Sequence, residues 1–337
     1  MNHRFHMSTL ALIAMIWLTA VPVAGQTASK SSAPAKKWTP LKTPGGEPSL
    51  EGTWTSTTTA PLERPPQFGS RLLLNDEEYA ERVRQLDRQH AADNEETSPS
   101  TRVNTGPPDH WTERARGVSR QTSLVVEPED GRVPVTAAAE ATRDYNNAHN
   151  TEAFEYMSPW DRCITRGFPG GMFPGGYGNV YEIVQGPGVV AIVSEMIHET
   201  RIIPLDGRPF SDIRQWNGES LGHWEGSTLV VETKNYNNKG WIATNLASGR
   251  IKGIPQSEAL HVIERFTRID ADTIQYEVTI EDPNIYTKPW KLVFPLYKDP
   301  DARVFEYACH EGNISMSNML SGARAEEKAA EEAKRKN

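Results

Sequence analysis

The chain has 337 residues and a net charge of −8, because 44 acidic side chains outnumber 36 basic ones. This negative net charge argues against nucleic-acid binding, which needs a basic surface. A hydrophobic content of 37% and this length allow one large domain or two small ones.

The N-terminus carries the three parts of a secretory signal peptide. Arg4 supplies positive charge, residues 10–18 form a short apolar run, and residues 23–25 are small enough for signal peptidase. We therefore predict a signal peptide over residues 1–25 and a periplasmic or secreted mature protein. A membrane anchor is the alternative, but the run is too short to cross about 30 Å of hydrocarbon. After cleavage, no stretch is apolar enough to span a membrane.

The mature chain contains two cysteines, Cys163 and Cys309. An even pair in an oxidising compartment predicts one disulfide, and two buried free thiols are the alternative. Neither cysteine belongs to a CxxC pair, so the sequence does not support a thioredoxin-like redox site or a cysteine-rich zinc site.

The first half of the mature chain predicts few regular elements. Residues 26–48 are polar and form a flexible linker, and a single β-rich domain is expected over 49–320. Its first elements are a strand at 49–55, a helix at 75–92, a strand at 123–126 and a helix at 136–147 capped by Thr136. Residues 158–179 then form a long loop rich in Gly, Pro and aromatic residues, a kind of loop that is more often functional than neutral.

From residue 181 onward the pattern changes to strands separated by short turns. The predicted strands are 181–185, 189–196, 200–205, 221–225, 228–236, 260–269, 273–280, 288–296 and 304–308. Such a meander must curl into a barrel or split into two packed sheets. The expected fold is therefore mainly β, an antiparallel barrel or sandwich of calycin or lipocalin type with a few peripheral helices. A charged helix or tail over 321–337 follows it.

Strand alternation predicts where polar side chains gather. Along residues 191–203 it places Glu195, Glu199 and Arg201 in one row, with His198 on the opposite face among apolar neighbours. Two carboxylates beside a guanidinium form a charge-assisted cluster if that face points inward. A solvated surface with a weak salt bridge is the alternative.

Later strands add further candidates. Glu264 lies in an apolar row and therefore needs a partner or has a raised pKa. His223 and Glu225 point the same way at the turn into a strong strand. His310 follows Cys309, so a disulfide would hold it near the loop that contains Asp161.

The common catalytic motifs are missing. The sequence has no HExxH and no GxSxG, and its glycine-rich stretch at 167–178 lacks the GK[ST] of a phosphate-binding loop. Ligation of a metal by His198, His223 and His261 from separate strands remains open, because spacing says nothing about it.

Several stretches together resemble a widespread group of exported, uncharacterised proteins from environmental bacteria. They are DRCITRG at 161–167, IIPLDGRP at 202–209, GHWEGSTLVVET at 222–233, ERFTR at 264–268 and EYACHEGN at 306–313. The likeness covers about residues 49–325. It implies export and marks these motifs as the distinctive parts of the chain, but it implies no catalytic role for any residue.

The sequence thus predicts an exported β-barrel protein that binds a small molecule at the end covered by residues 158–179. As an enzyme it would be a cofactor-independent lyase, isomerase or hydrolase using His/Glu acid–base chemistry. As a binding protein it would use the same groups only to orient a ligand. A structural envelope protein without a site is the third hypothesis. The candidate site residues are Glu195, His198, Glu199, Arg201, His223, Glu264 and His310.

Overall fold

The computed structural model describes residues 38–93 and 112–336, so the predicted signal peptide and residues 26–37 of the predicted linker lie outside it. The strands are β1 (Gly52–Thr55), β2 (Val125–Glu127), β3 (Val180–Gly186), β4 (Val189–Ser194), β5 (Thr200–Pro204), β6 (Glu219–Glu225), β7 (Thr228–Lys234), β8 (His261–Arg268), β9 (Thr273–Glu281) and β10 (Trp290–Lys298). The α-helices are α1 (Asp76–Asp93), α2 (Ala137–Ala148), α3 (Cys309–Gly312) and α4 (Ser315–Lys336).

Nine strands form one antiparallel sheet that curls into a nearly closed barrel. Their order is β5-β4-β3-β1-β10-β9-β8-β7-β6, and β2 adds to β10 outside this path. Two meanders, β3 to β5 and β6 to β10, are therefore joined through β1, which pairs with both β3 and β10. This confirms the predicted mainly antiparallel β fold and its barrel form. None of the helices in the described part of the chain is long and apolar enough to cross a membrane.

The barrel closes at the seam, which is the junction between β5 and β6. The two strands share no backbone ladder, yet they touch through side chains. A Cβ atom at Gly222 on β6 would lie 2.8 Å from side-chain atoms of both Ile203 and Leu205. A side chain at position 222 would therefore push the two edge strands apart, and glycine permits their close approach.

The barrel interior is filled by side chains. Buried and partly buried residues alternate strictly along β8 and β9, as expected for strands with one inward face. The inward Tyr276 ring packs against Phe266 and Phe294, with ring centroids 4.9 Å and 5.0 Å away. Trp54 and Tyr181 fill the side of the barrel formed by β1 and β3. The interior is thus a packed core rather than an open cup.

The connection between β4 and β5 differs from the prediction. The predicted strand at 189–196 ends at Ser194, and residues 196–198 form a single 3₁₀ turn. Ile197 and His198 adopt positive φ angles of 58° and 41°. A β-branched residue rarely adopts that conformation, so the strand pattern gave no sign of a turn here. The turn interrupts the alternation between Glu195 and Glu199, so the prediction that Glu195 shares their row is wrong, whereas Glu199 and Arg201 both line one pocket.

The C-terminal end also differs from the prediction. Residues 304–308 form no strand; the segment is irregular, and Phe305 within it is 67% exposed. The last helix, α4, begins at Ser315 rather than at residue 321. The two earlier helices are confirmed, including the Thr136 cap of α2, whose side chain accepts a hydrogen bond from the Ala139 N–H at 3.3 Å.

The predicted disulfide is present. Cys163 is bonded to Cys309, and their Cα atoms are 5.7 Å apart. The bond fixes the irregular C-terminal segment against the 158–179 loop. A hydrogen bond of 2.9 Å from Asn313 Nδ2 to the Asp161 carbonyl supports the same contact.

Candidate functional site

Two of the predicted site residues meet inside the barrel. Arg201 on β5 and Glu264 on β8 form a two-pronged ion pair, in which Nη1 donates to Oε1 at 2.9 Å and Nη2 donates to Oε2. Both side chains are almost completely buried. Of the two alternatives predicted for Glu264, the structure shows the one in which it has a partner.

Further hydrogen bonds surround this pair. Arg201 Nε donates to Ser220 Oγ at 2.9 Å, and Nη2 donates to Thr233 Oγ1 at 2.8 Å. The Tyr276 hydroxyl donates to Glu264 Oε1 at 2.7 Å. Burial raises the pKa of Tyr276 well above its usual range, and the Glu264 carboxylate raises it further, so the hydroxyl keeps its proton. A buried hydrogen-bond network of this kind stabilises one arrangement of the strands.

Glu199 lies beside this network, in a pocket of about 430 Å³ at the seam. Thr165 Oγ1 is 2.9 Å from both of its carboxylate oxygens, and Asn217 donates to Oε1. Burial raises the pKa of Glu199, and the two hydrogen-bonding side chains partly offset that rise. The pocket wall combines this carboxylate with the edge of the Arg201 network.

The other predicted site residues do not converge on this pocket. Glu195 and His198 flank the turn after β4, where His198 is exposed and its Nδ1 lies 3.4 Å from the Tyr307 carbonyl. The predicted apolar environment of His198 is therefore wrong. Burial raises the pKa of Glu195, and the Glu113 carboxylate raises it further. His310 is exposed on the short helix α3.

The two histidines that lie on strands, His223 and His261, contact glutamates on the outside of the sheet. His223 is exposed, and its Nε2 lies 3.2 Å from Glu225, as their shared face predicted. His261 bridges Glu232 and Glu281 at 2.8 Å and 3.3 Å. Over residues 38–93 and 112–336 no group of three or more His, Cys, Asp or Glu side chains is arranged to hold a metal ion.

A second pocket lies beside the disulfide and has a volume of about 590 Å³. We call it the disulfide pocket. It is formed by the 158–179 loop, by residues 244–252 and by the C-terminal segment from Tyr307 into α4. Its apolar lining consists of Met157, Trp160, Tyr177, Leu246, Ala247, Tyr307, Met316 and Met319, together with the disulfide itself. Its principal polar lining consists of Asp161, Arg166, Asn245, Lys252 and Asn313.

Arg166 is the most deeply buried charged side chain in the lining of the disulfide pocket, with 3% of its surface exposed. Nη1 donates to the carbonyls of Tyr177 and Gly178 at 3.2 Å and 3.0 Å. The guanidinium carbon lies 4.9 Å from the centre of the Trp160 ring, in a cation–π arrangement. Nε is buried and has no hydrogen-bond partner among the residues that the structure describes. The pocket therefore contains a guanidinium that is held in place and has N–H donors without an acceptor.

The sequence reasoning missed Arg166. Alternation ranks residues on strands, and Arg166 lies in a loop where no periodicity operates. A signal was nevertheless present, because Arg166 belongs to the DRCITRG stretch around Cys163 and lies in the loop predicted to be functional. Comparisons with protein-family models, with curated proteins and with solved structures found no match to the chain. Fold and site define a disulfide-linked antiparallel β-barrel protein with a pocket at its cross-linked end.

Proposed function

We propose that the chain is an exported protein that binds a small organic molecule in the disulfide pocket. The observation that carries this proposal is the pocket itself. Its volume of about 590 Å³ lies within the usual range of small-molecule sites, which is roughly 300–1,000 Å³. Its lining of apolar and aromatic side chains around a few fixed polar groups is the usual composition of such sites.

The location of the pocket separates this protein from a lipocalin-type binder. A lipocalin holds its ligand inside the barrel, whereas this barrel is filled by residues such as Trp54, Phe266 and Tyr276. The proposed ligand lies instead between the loop and the C-terminal segment that the disulfide joins. Flexible Met157, Met316 and Met319 supply much of the apolar wall, and methionine adapts well to irregular ligand shapes.

The distribution of acid–base groups favours binding over His/Glu catalysis. His198, His223 and His310 are all exposed, and none of them lines the disulfide pocket. A general base must come within hydrogen-bond reach of the proton that it removes. Export is supported by the disulfide, because such bonds persist in oxidising compartments.

Titration with N-phenylnaphthylamine, a neutral apolar dye that fluoresces on leaving water, tests the proposal. We expect saturable binding to the full chain. Leu246→Glu should weaken that binding, because Leu246 lines the pocket and is 82% exposed, so the folded state tolerates the change. Ile213→Glu is the matched control, since Ile213 is 67% exposed and lies outside the pocket lining. Absence of saturable binding, or equal binding by the two variants, would overturn the proposal.

A further inference from the structure

We propose that Arg166 binds the carboxylate of the pocket's ligand, which makes the ligand a carboxylic acid with an apolar body. This inference rests on the proposed function and names its ligand class. Burial of the Arg166 guanidinium carries an electrostatic cost. A buried guanidinium needs an anion or a full set of hydrogen-bond acceptors, because its desolvation is expensive.

Arg166 has neither of these among the residues that the structure describes. Arg201, which is similarly buried, is neutralised by Glu264. Arg268, also buried, donates from Nε, Nη1 and Nη2 to three different backbone carbonyls. Arg166 donates only from Nη1, and within residues 38–93 and 112–336 it forms no ion pair.

The nearby carboxylates are engaged elsewhere. Glu113 accepts hydrogen bonds from the backbone N–H groups of Gly178 and Asn179. Asp161 lines the pocket, but its Oδ2 accepts a hydrogen bond of 2.7 Å from Ser158. Neither carboxylate forms an ion pair with Arg166, so its guanidinium can still pair with an anion that enters the pocket.

The guanidinium is held in place before any ligand arrives. Two carbonyls fix Nη1, and the Trp160 ring covers the guanidinium plane. Glycines make room for it, because a Cβ atom at Gly175 would lie 2.8 Å from Nη2 and one at Gly178 would lie 2.9 Å from Nη1. The edge formed by Nε and Nη2 is the one without hydrogen bonds. Such an edge presents two parallel N–H donors, which match the two oxygens of a carboxylate.

A second unpaired donor lies close to this edge. Asn245 Nδ2 is buried and has no hydrogen-bond partner in the described part of the chain, while Asn245 Oδ1 already accepts from the Ser248 N–H at 3.1 Å. Asn245 and Arg166 both lie against Gly175, where a Cβ atom would be 3.6 Å from Asn245 Cγ. Buried donors without partners are uncommon and call for a missing acceptor. Two of them in one pocket indicate an oxyanion there.

The rest of the pocket wall indicates the chemistry of the remainder of the ligand. Beyond the guanidinium the wall is formed by side chains such as Trp160, Leu246 and Met319. A fully polar anion would leave this wall exposed to water, whereas an apolar body would cover it. Lys252 is the other cation in the lining, and it is only partly buried. A monocarboxylate balances the single buried charge.

Displacement of bound N-phenylnaphthylamine by decanoate and by decanol tests this inference at pH 7. The two competitors share an apolar chain, and only decanoate is an anion. We expect decanoate to displace the dye at a concentration about tenfold lower, because a hydrogen bond to a charged group is stronger than one to a neutral group. Arg166→Gln should remove this preference and leave displacement by decanol unchanged, while Arg166→Lys should keep part of it.

The outcomes separate the two proposals. If the dye does not bind, the proposed function fails. If it binds and the wild-type protein shows no preference for decanoate, the function stands and the role of Arg166 is refuted. The wild-type comparison needs no substitution, so the test remains decisive even if Arg166→Gln fails to fold.

Discussion

Arg201 and Glu264 are 63 positions apart in sequence and form a buried ion pair across the barrel interior, with Nη1 and Oε1 separated by 2.9 Å. Arg201 lies on the edge strand β5, and Glu264 lies on β8, two strands in from the opposite edge β6. Since β5 and β6 share no backbone ladder, this pair and the hydrogen bond from Arg201 to Ser220 bridge the seam. Side chains thus complete a barrel that the backbone leaves open.

Removing one partner of this pair should destabilise the fold strongly. We expect Arg201→Met or Glu264→Leu to lower the free energy of unfolding by about 3–5 kcal/mol, because the remaining group stays buried without its partner. The double variant Arg201→Met/Glu264→Leu should lose less than the sum of the single losses. Urea denaturation of the four proteins measures this. Strictly additive losses would show that the two residues act independently.

Sequence patterns anticipated the parts of this site that lie on regular strands. Alternation placed Glu264 in an apolar row, and burial then required a partner for it. The pattern did not identify Arg201 as that partner, because strand order around a barrel is set by tertiary packing rather than by local sequence. The turn at Ile197 was missed for a related reason, since its left-handed backbone is imposed by the surrounding structure.

Loops and termini were the least predictable regions. The disulfide followed from the cysteine count and from the predicted oxidising compartment, and it correctly brought the Asp161 loop to the C-terminal segment. The sequence did not show which side chains this contact would bury, because loops have no periodicity from which a face can be assigned. Arg166 and Asn245 therefore became visible only with the three-dimensional structure.

Glu199→Gln should make the protein more stable at neutral pH. Burial raises the pKa of Glu199 above its ordinary value of 4.5, so the folded state binds a proton more readily than the unfolded state. The stabilisation that protonated Glu199 gives the fold is present below pH 4.5. It is lost as the pH rises through the raised pKa of the folded state. Thermal unfolding should therefore give Glu199→Gln the higher Tm at pH 7, and the difference should fade at about pH 4.

Glu225→Gln provides a control of opposite sign. The Arg265 guanidinium lowers the pKa of Glu225, and His223 adds to that effect. The stabilisation that the ionised Glu225 carboxylate gives the fold is present above its ordinary pKa. It is lost as the pH falls through the lowered pKa. Glu225→Gln should therefore show no gain in Tm at pH 7. A lower Tm for Glu199→Gln at pH 7 would mean that the contacts of Glu199 with Thr165 and Asn217 outweigh its desolvation.

Loss of the disulfide should weaken both the fold and the pocket. Cys163 and Cys309 are separated by 146 positions, and removal of a cross-link that closes so long a loop typically costs about 2–5 kcal/mol. Because the bond also fixes the C-terminal wall of the pocket, the Cys163→Ser/Cys309→Ser variant should bind N-phenylnaphthylamine more weakly even under conditions where it remains folded. Unfolding curves and dye titrations at one low temperature separate the two effects. Unchanged dye affinity would show that the wall is held by other contacts.

Only the first turns of the C-terminal helix α4 should be needed for binding of the dye. No residue of α4 is buried, so its outer part contributes little to the core. Met316 and Met319 in its first turns line the disulfide pocket. A chain ending at Gly322 keeps both methionines and should bind N-phenylnaphthylamine almost as the full chain does. A chain ending at Ile314 lacks them and should bind the dye several-fold more weakly, since each buried methylene contributes about 0.8 kcal/mol. Equal affinity of the two truncated chains would place the dye, and with it the proposed ligand, away from this wall.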